Sequence, residues 1–171
     1  ESEERYRELF ENANDLIQSV RADGFYEYVN RTWQELLGYS DEDLKTLTFL
    51  EVIHPDEREH CQSLFGRVMS GQVVADISTA FVTKDGRKIL VEGDTTPRML
   101  DGQVVSTRGI FRDVTLRRQA EEQIRLQAAA LDSAANTIVI TDPNGKIQWA
   151  NRAFTQASGY SLEEAAGDVP Q

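Results

Sequence analysis

The eleven residues that start at Asn30, NRTWQELLGYS, return at Asn151 as NRAFTQASGYS, with Asn-Arg at the start and Gly-Tyr-Ser at the end unchanged. The copies lie 121 positions apart, and at that one offset Gly24 falls on Gly145, Arg31 on Arg152, Gly38 on Gly159, Tyr39 on Tyr160, Ser40 on Ser161 and Glu42 on Glu163. A repeat at fixed spacing means one supersecondary unit used twice, so any fold for this chain must place both copies in equivalent local surroundings. Each copy follows a short apolar stretch and a turn, LIQSVRADG and TIVITDPNG, and then an alternating stretch, FYEYVN and KIQWAN. Asp-Gly and Asn-Gly accept positive φ, so each unit reads as a β-hairpin running into a helix. Asn30 and Asn151 stand where an N-cap is wanted, and Gly38 and Gly159 where a left-handed stop is wanted. Ser161 with Glu164 forms a capping box that restarts a short helix, and Ser40 with Asp43 a weaker version of it.

Between the copies the pattern changes twice. His54-Pro55-Asp56 marks a helix start, after which Cys61, Leu64, Phe65 and Val68 recur at helical spacing and Gly71 ends the run. Three stretches of period-two alternation follow, Ile77-Thr79-Phe81, Ile89-Val91-Gly93-Thr95 and Val105-Thr107-Gly109-Phe111, separated by KDG and LDG turns. They predict an antiparallel meander. Residues 116–134 lack Pro and Gly and carry Ala120, Ile124, Leu131 and Ala134 at near-heptad spacing, with Gln127 at one seam position, which predicts a connecting helix.

Composition narrows the function. The net charge of −11 repels phosphate backbones and anionic membranes, and the 14 Arg and 4 Lys are scattered among acids, so no nucleic-acid or membrane contact is expected. One Cys excludes an internal disulfide and fits a reducing, cytoplasmic setting. A four-ligand zinc site is excluded in practice, with Cys61, His54 and His60 the only soft or borderline ligands. No apolar run approaches the roughly 20 residues of a membrane span. The first residues show no secretory signal, and the chain is expected to start inside a longer protein.

The order hairpin, short helices, longer helix, meander and exit helix resembles the PAS family. The likeness is carried by the Asn-to-Gly-Tyr-Ser unit in both copies, the His54-Pro55-Asp56 turn and the closing Asp113-Val114-Thr115. It covers nearly the whole chain, with a complete copy at about residues 12–115 and the opening part of a second at 135–171. It implies an α+β PAS fold: a five-stranded antiparallel sheet with short helices on one face, flanked by an N-terminal helix at residues 1–11 and a linker helix at 116–134. The second copy stops before its long helix and meander and lacks most of the surface needed to close a core.

A sensory role follows from that resemblance: a small molecule or partner is sensed and the response passes through the linker helix to an output domain outside the chain, such as a histidine kinase. The chain itself is expected to catalyse nothing. Candidate walls of a ligand pocket are Trp33, Phe49, Phe65, Phe81, Val91 and Phe111, all of which serve equally as core. In PAS domains the Asp and Thr of the closing motif tie sheet to exit helix, which carries that role to Asp113 and Thr115; parity along the last strand puts Asp113 on the inward side. Ala120, Ile124 and Leu131 form a candidate seam for a homodimer through flanking helices. A ligand-free domain serving only dimerisation and spacing is the main alternative, and a haem- or flavin-binding redox or gas sensor a more distant one.

Cofactor chemistry is disfavoured. Cys61 lies on the apolar face of its helix, where a thiol behaves as a small hydrophobe rather than as a partner of His54, Asp56 or His60. Some PAS domains hold haem through a His on the long helix, but His60 is about 100° from Cys61 and at the edge of the apolar face. The flavin-binding, light-sensing subgroup carries an Asn-Cys-Arg-Phe sequence before that helix, where this chain reads LTFLEVIHPD. No metal or cofactor is therefore predicted, and an unidentified small ligand remains open.

Overall fold

The first hairpin turns at Asp23-Gly24, where Gly24 takes φ 87° and the Asp23 carboxylate accepts from the Phe25 N–H. It joins β1 (Leu16–Arg21) to β2 (Tyr26–Val29). The structure is a computed structural model that describes residues 8–165. Residues 8–11 are helical; the rest of the expected N-terminal helix lies outside the described residues.

Helices α1 (Arg31–Leu37), α2 (Asp41–Leu44) and α3 (Phe49–Val52) come next, then a 3-10 turn at Pro55–Glu57 and α4 (Arg58–Met69). Each start has a local cause. Asn30 caps α1, the Ser40–Asp43 capping box opens α2 in full, and His54 Nδ1 accepts from the Asp56 N–H ahead of Pro55. The alternating stretches become β3 (Val74–Val82), β4 (Lys88–Leu100) and β5 (Gln103–Asp113). Asp101 and Gly102 join the last two with φ of 50° and 77°, the paired positive values of a type I′ hairpin.

All pairings are antiparallel, in the order β2-β1-β5-β4-β3. The two strands from the N-terminal hairpin thus join the meander through β5, and the inner face collects Leu16, Val20, Phe81, Val91 and Phe111, all buried. Trp33, Leu37, Val52 and Val68 cover that face from the helical side. Burying side chains of this size contributes about 1.5–3 kcal/mol each. On the outer face Arg108, Ile110 and Arg112 are exposed, whereas Ser106 between them and the turn is buried.

A helix labelled α5 (Thr115–Ser133) starts one residue earlier than the sequence pattern predicts and buries no side chain. The chain divides after Leu116 into two compact units. The second holds the hairpin β6 (Val139–Thr141) and β7 (Ile147–Ala150), then α6 (Arg152–Ser158), capped by Asn151 and stopped by Gly159 at φ 77°, and α7 (Leu162–Ala165).

One charged contact joins α2 to the turn after β3. The Asp43 carboxylate accepts from Lys84 Nζ at 2.7 Å and from the Ser40 N–H and hydroxyl at 2.8 and 2.9 Å. Lys84 first, and then the Ser40 donors, hold its pKa down to about 2 from the ordinary 3.8. Because the folded value lies below the unfolded one, this stabilisation is complete above about pH 4 and is lost as pH falls through about 2. In Lys84→Met the carbon-detected NMR midpoint of Asp43 should rise toward 3.8; a midpoint still at about 2 would assign the whole shift to Ser40.

Candidate functional site

Between the sheet and α4 lies a cavity of about 50 Å³. Its helical wall is the face that the spacing of Cys61, Leu64, Phe65 and Val68 defined, joined by Phe49 and Ile53; Phe49 and Phe65 stack with ring centroids 4.6 Å apart. The sheet supplies Gln18, Val20, Ile77, Thr79, Phe81, Thr95, Thr107 and Phe111. Four of the expected aromatic walls, Phe49, Phe65, Phe81 and Phe111, therefore line it. Trp33 and Val91 do not: both are fully buried in the surrounding core, Trp33 packed edge-on against Tyr26 with centroids 5.0 Å apart. An inward-pointing residue reaches the cavity only if no neighbour fills the space above it.

The alternating pattern put Thr79, Thr95 and Thr107 in register with inward residues, but nothing in the sequence showed that they meet Gln18 in one wall. The Trp33 indole N–H donates to Gln18 Oε1 at 3.0 Å, and Cys61 Sγ lies 3.2 Å from the Thr79 hydroxyl. Gln18 and Thr95 both stand opposite Gly109 in the ladder, with Thr107 two positions along the same strand. A Cβ on Gly109 would come 2.6 Å from the Phe111 ring and 3.2 Å from Gln18 Cγ, so only glycine leaves this floor open. The hydroxyl of Tyr26, cross-strand from Val20, is buried without a partner among the described residues, and burial pushes its pKa well above the usual value.

Redox and metal candidates are dispersed. Burial pushes the Cys61 thiol up, against a smaller lowering by the Thr79 hydroxyl, which is opposite to what a reactive thiolate needs. His60 is exposed and outside the cavity wall, while His54 belongs to the turn, where its N–H donates to the Ala80 carbonyl. Among the described residues no three His, Cys, Asp or Glu side chains gather as metal ligands, and no helix is long and apolar enough to cross a membrane.

The strand that carries Thr95 also holds the start of α5. Thr115 Oγ1 accepts from the Leu90 N–H at 2.9 Å and donates to Asp113 Oδ1 at 2.6 Å, and the Val114 N–H donates to the Leu90 carbonyl at 2.9 Å. Asp113 Oδ1 also accepts from the Thr115 N–H at 2.9 Å. Parity puts Asp113 opposite the buried Val91, yet its carboxylate is exposed at the sheet edge, where the chain leaves the strand for the helix. It is bound by the following turn and, among the described residues, by no Arg. Ala120, Ile124 and Leu131 are exposed on α5, Ile124 at 66% and Leu131 at 39%.

The repeat reaches further back than its identical residues. Asn30 Oδ1 accepts from the Ile17 and Trp33 N–H groups, and its Nδ2 donates to the Phe10 and Asp15 carbonyls. Asn151 accepts from Ile138 and Phe154 and donates to Leu131, Ala134 and Asn136. A carboxylate closes each set: Glu11 accepts from the Arg31 N–H and Asp132 from the Arg152 N–H. The last turn of α5 is thus to the second unit what residues 8–11 are to the first. The exchange of Glu for Asp and Phe for Leu hid this from a comparison of identities.

A family model described as PAS fold matches residues 4–114, and one described as PAS domain matches residues 125–170. The methyl sulfide methyltransferase-associated sensor of Methanosarcina acetivorans is 30% identical over 172 residues of alignment, 96% of this chain and 16% of that protein. The oxygen sensor protein DosP of Escherichia coli is 32% identical over 87 residues, 51% of this chain and 11% of that protein. The chain therefore spans less than a fifth of either relative. Among solved structures, a domain of a sensory box sensor histidine kinase/response regulator from Geobacter sulfurreducens superposes with a TM-score of 0.56 at 25% identity, covering 66% of this chain and 94% of that one.

Asn30→Ala would leave two N–H groups and two carbonyls without partners. The first urea transition of the whole chain should lose roughly 2–4 kcal/mol. A loss under about 1 kcal/mol would mean that water replaces the carboxamide and that the junction is not held by Asn30.

Proposed function

We propose that this chain, which belongs to the PAS family by the match over residues 4–114, is a sensory relay that reads the interior cavity of its complete domain and passes the result along α5. One observation carries the reading. Strand β4 contributes Thr95 to the cavity wall and Leu90 to the bonds that hold Val114 and Thr115. A molecule that prefers one position of β4 over another must therefore also bias the start of the helix, and the shift it produces is bounded by its difference in affinity for the two states.

The downstream element in this proposal is an output domain of a longer protein, a kinase being the class that the Geobacter sulfurreducens structure's description suggests. The segment itself performs no chemical step. The buried, up-shifted Cys61 thiol and the separation of His54 from His60 support that part of the reading. Homodimerisation through α5 belongs to it as well, because Ala120, Ile124 and Leu131 present an apolar seam that an isolated helix leaves wet. The small cavity supports a second reading, a ligand-free domain used for dimerisation and spacing.

Hydrogen exchange separates the two. Thr115→Val removes the acceptor of the Leu90 N–H, and Asp113→Ala removes that of the Thr115 N–H. Exchange at Leu90 and residues 114–125 should speed up about tenfold in each, with the rest of the sheet protected. Uniform loosening, or no change over that window, counts against a relay.

Light scattering tests the seam. The wild type should be a dimer, and Ile124→Asp with Leu131→Asp should be monomeric. A wild type that stays monomeric at high concentration rejects the helical dimer.

A further inference from the structure

We infer that the cavity takes a small, uncharged molecule with an apolar body and a carbonyl-type hydrogen-bond acceptor, such as a short-chain ketone; this rests on the sensory reading above and names its ligand class. Three features of the wall lead there. The first is the absence of charge: the residues that line it include no Asp, Glu, Lys, Arg or His. An ion entering would give up its hydration for no counter-charge, so carboxylates and amines are excluded by desolvation.

The second is a donor of fixed direction. An indole N–H can only donate, so the Gln18 atom that receives it from Trp33 must be the oxygen. Trp33 is fully buried, which locks the contact, and Gln18 Nε2 is left as the amide's open end with no partner among the described residues. The Thr95 and Thr107 hydroxyls likewise form no hydrogen bond with the described residues, and ladder register sets Gln18 and Thr95 on either side of Gly109. One edge of the cavity is thus polar and donor-rich while the facing wall, Phe49, Leu64 and Phe65, is apolar. That asymmetry fits a molecule with one acceptor at one end.

The third is size. A volume of about 50 Å³ has room for only a few heavy atoms, since on this measure about 10–15 Å³ admits one water. Haem and flavin are far larger.

Amide NMR of the whole chain tests the class with butan-2-one and propanoate, which have equal numbers of heavy atoms and differ in charge. Both are titrated into the millimolar range, as ligands so small require. Butan-2-one should shift Gln18, Thr95 and Thr107, and propanoate should bind at least tenfold more weakly. Gln18→Leu should weaken butan-2-one about tenfold. Thr107→Val keeps the Gln18–Trp33 bond and the wall's shape; it should weaken binding at least threefold, and it decides the matter if Gln18→Leu fails to fold. Equal binding of propanoate, or butan-2-one binding unchanged in both variants, overturns the class and leaves a ligand cavity, hence the sensory reading, in place. No shift at these residues with butan-2-one also overturns it, and exchange in Thr115→Val then judges the relay by itself.

Discussion

The buried carboxamide of Asn30 is the contact on which the first unit's assembly depends. Its two acceptor and two donor positions are all used, by one N–H each from β1 and α1 and by the carbonyls of Phe10 and Asp15. Three separate pieces of backbone would otherwise end there with unpaired polar groups in a dry place, at about 1–3 kcal/mol each. No other side chain of this length meets the requirement. An Asp would set a carboxylate against two carbonyl oxygens, and a Ser has too few hydrogens to donate. Asn151 meets the same demand with the same geometry, which is the physical content of the repeat.

From this junction the sheet inherits its register. Asn30 fixes where β1 begins, the ladder from β1 to β5 puts Gln18 opposite Gly109, and the ladder from β5 to β4 puts Thr95 on its other side. The polar edge of the cavity is therefore a product of strand order. The same ladder ends at Val91 opposite Asp113, where the chain turns out of the sheet and Leu90 takes hold of Thr115. Cavity and exit helix share β4 because β4 is long enough, from Lys88 to Leu100, to pass under both.

Charge plays a smaller part. The ion pairs are at the surface, Arg21 with Asp23, Arg31 with Glu35 and Arg125 with Glu122 among them, where such contacts contribute about 0–1 kcal/mol. The acidic excess sits on the outside and leaves the cavity neutral. The chain is thus anionic to its surroundings and uncharged where the candidate ligand would sit.

What the sequence determined by itself was local. Turn dipeptides, helix caps, the α4 face of Cys61, Leu64, Phe65 and Val68, and the repeat that pointed to a PAS fold all depend on residues a few positions apart, or on one fixed offset, and all could be read from the chain. So could the contact of Thr115 with the end of the sheet, though only through resemblance. The tertiary structure alone decided which inward residues meet empty space. Trp33 and Val91 point inward and are packed over; Gln18, Thr95 and Thr107 look like ordinary polar members of alternating strands and converge only because β1, β5 and β4 are neighbours. It also decided that Asp113, inward by parity, is exposed, because parity describes a strand and says nothing about where the sheet ends. Alternation is set by backbone geometry within one segment, whereas cavities and edges are set by what other segments leave uncovered.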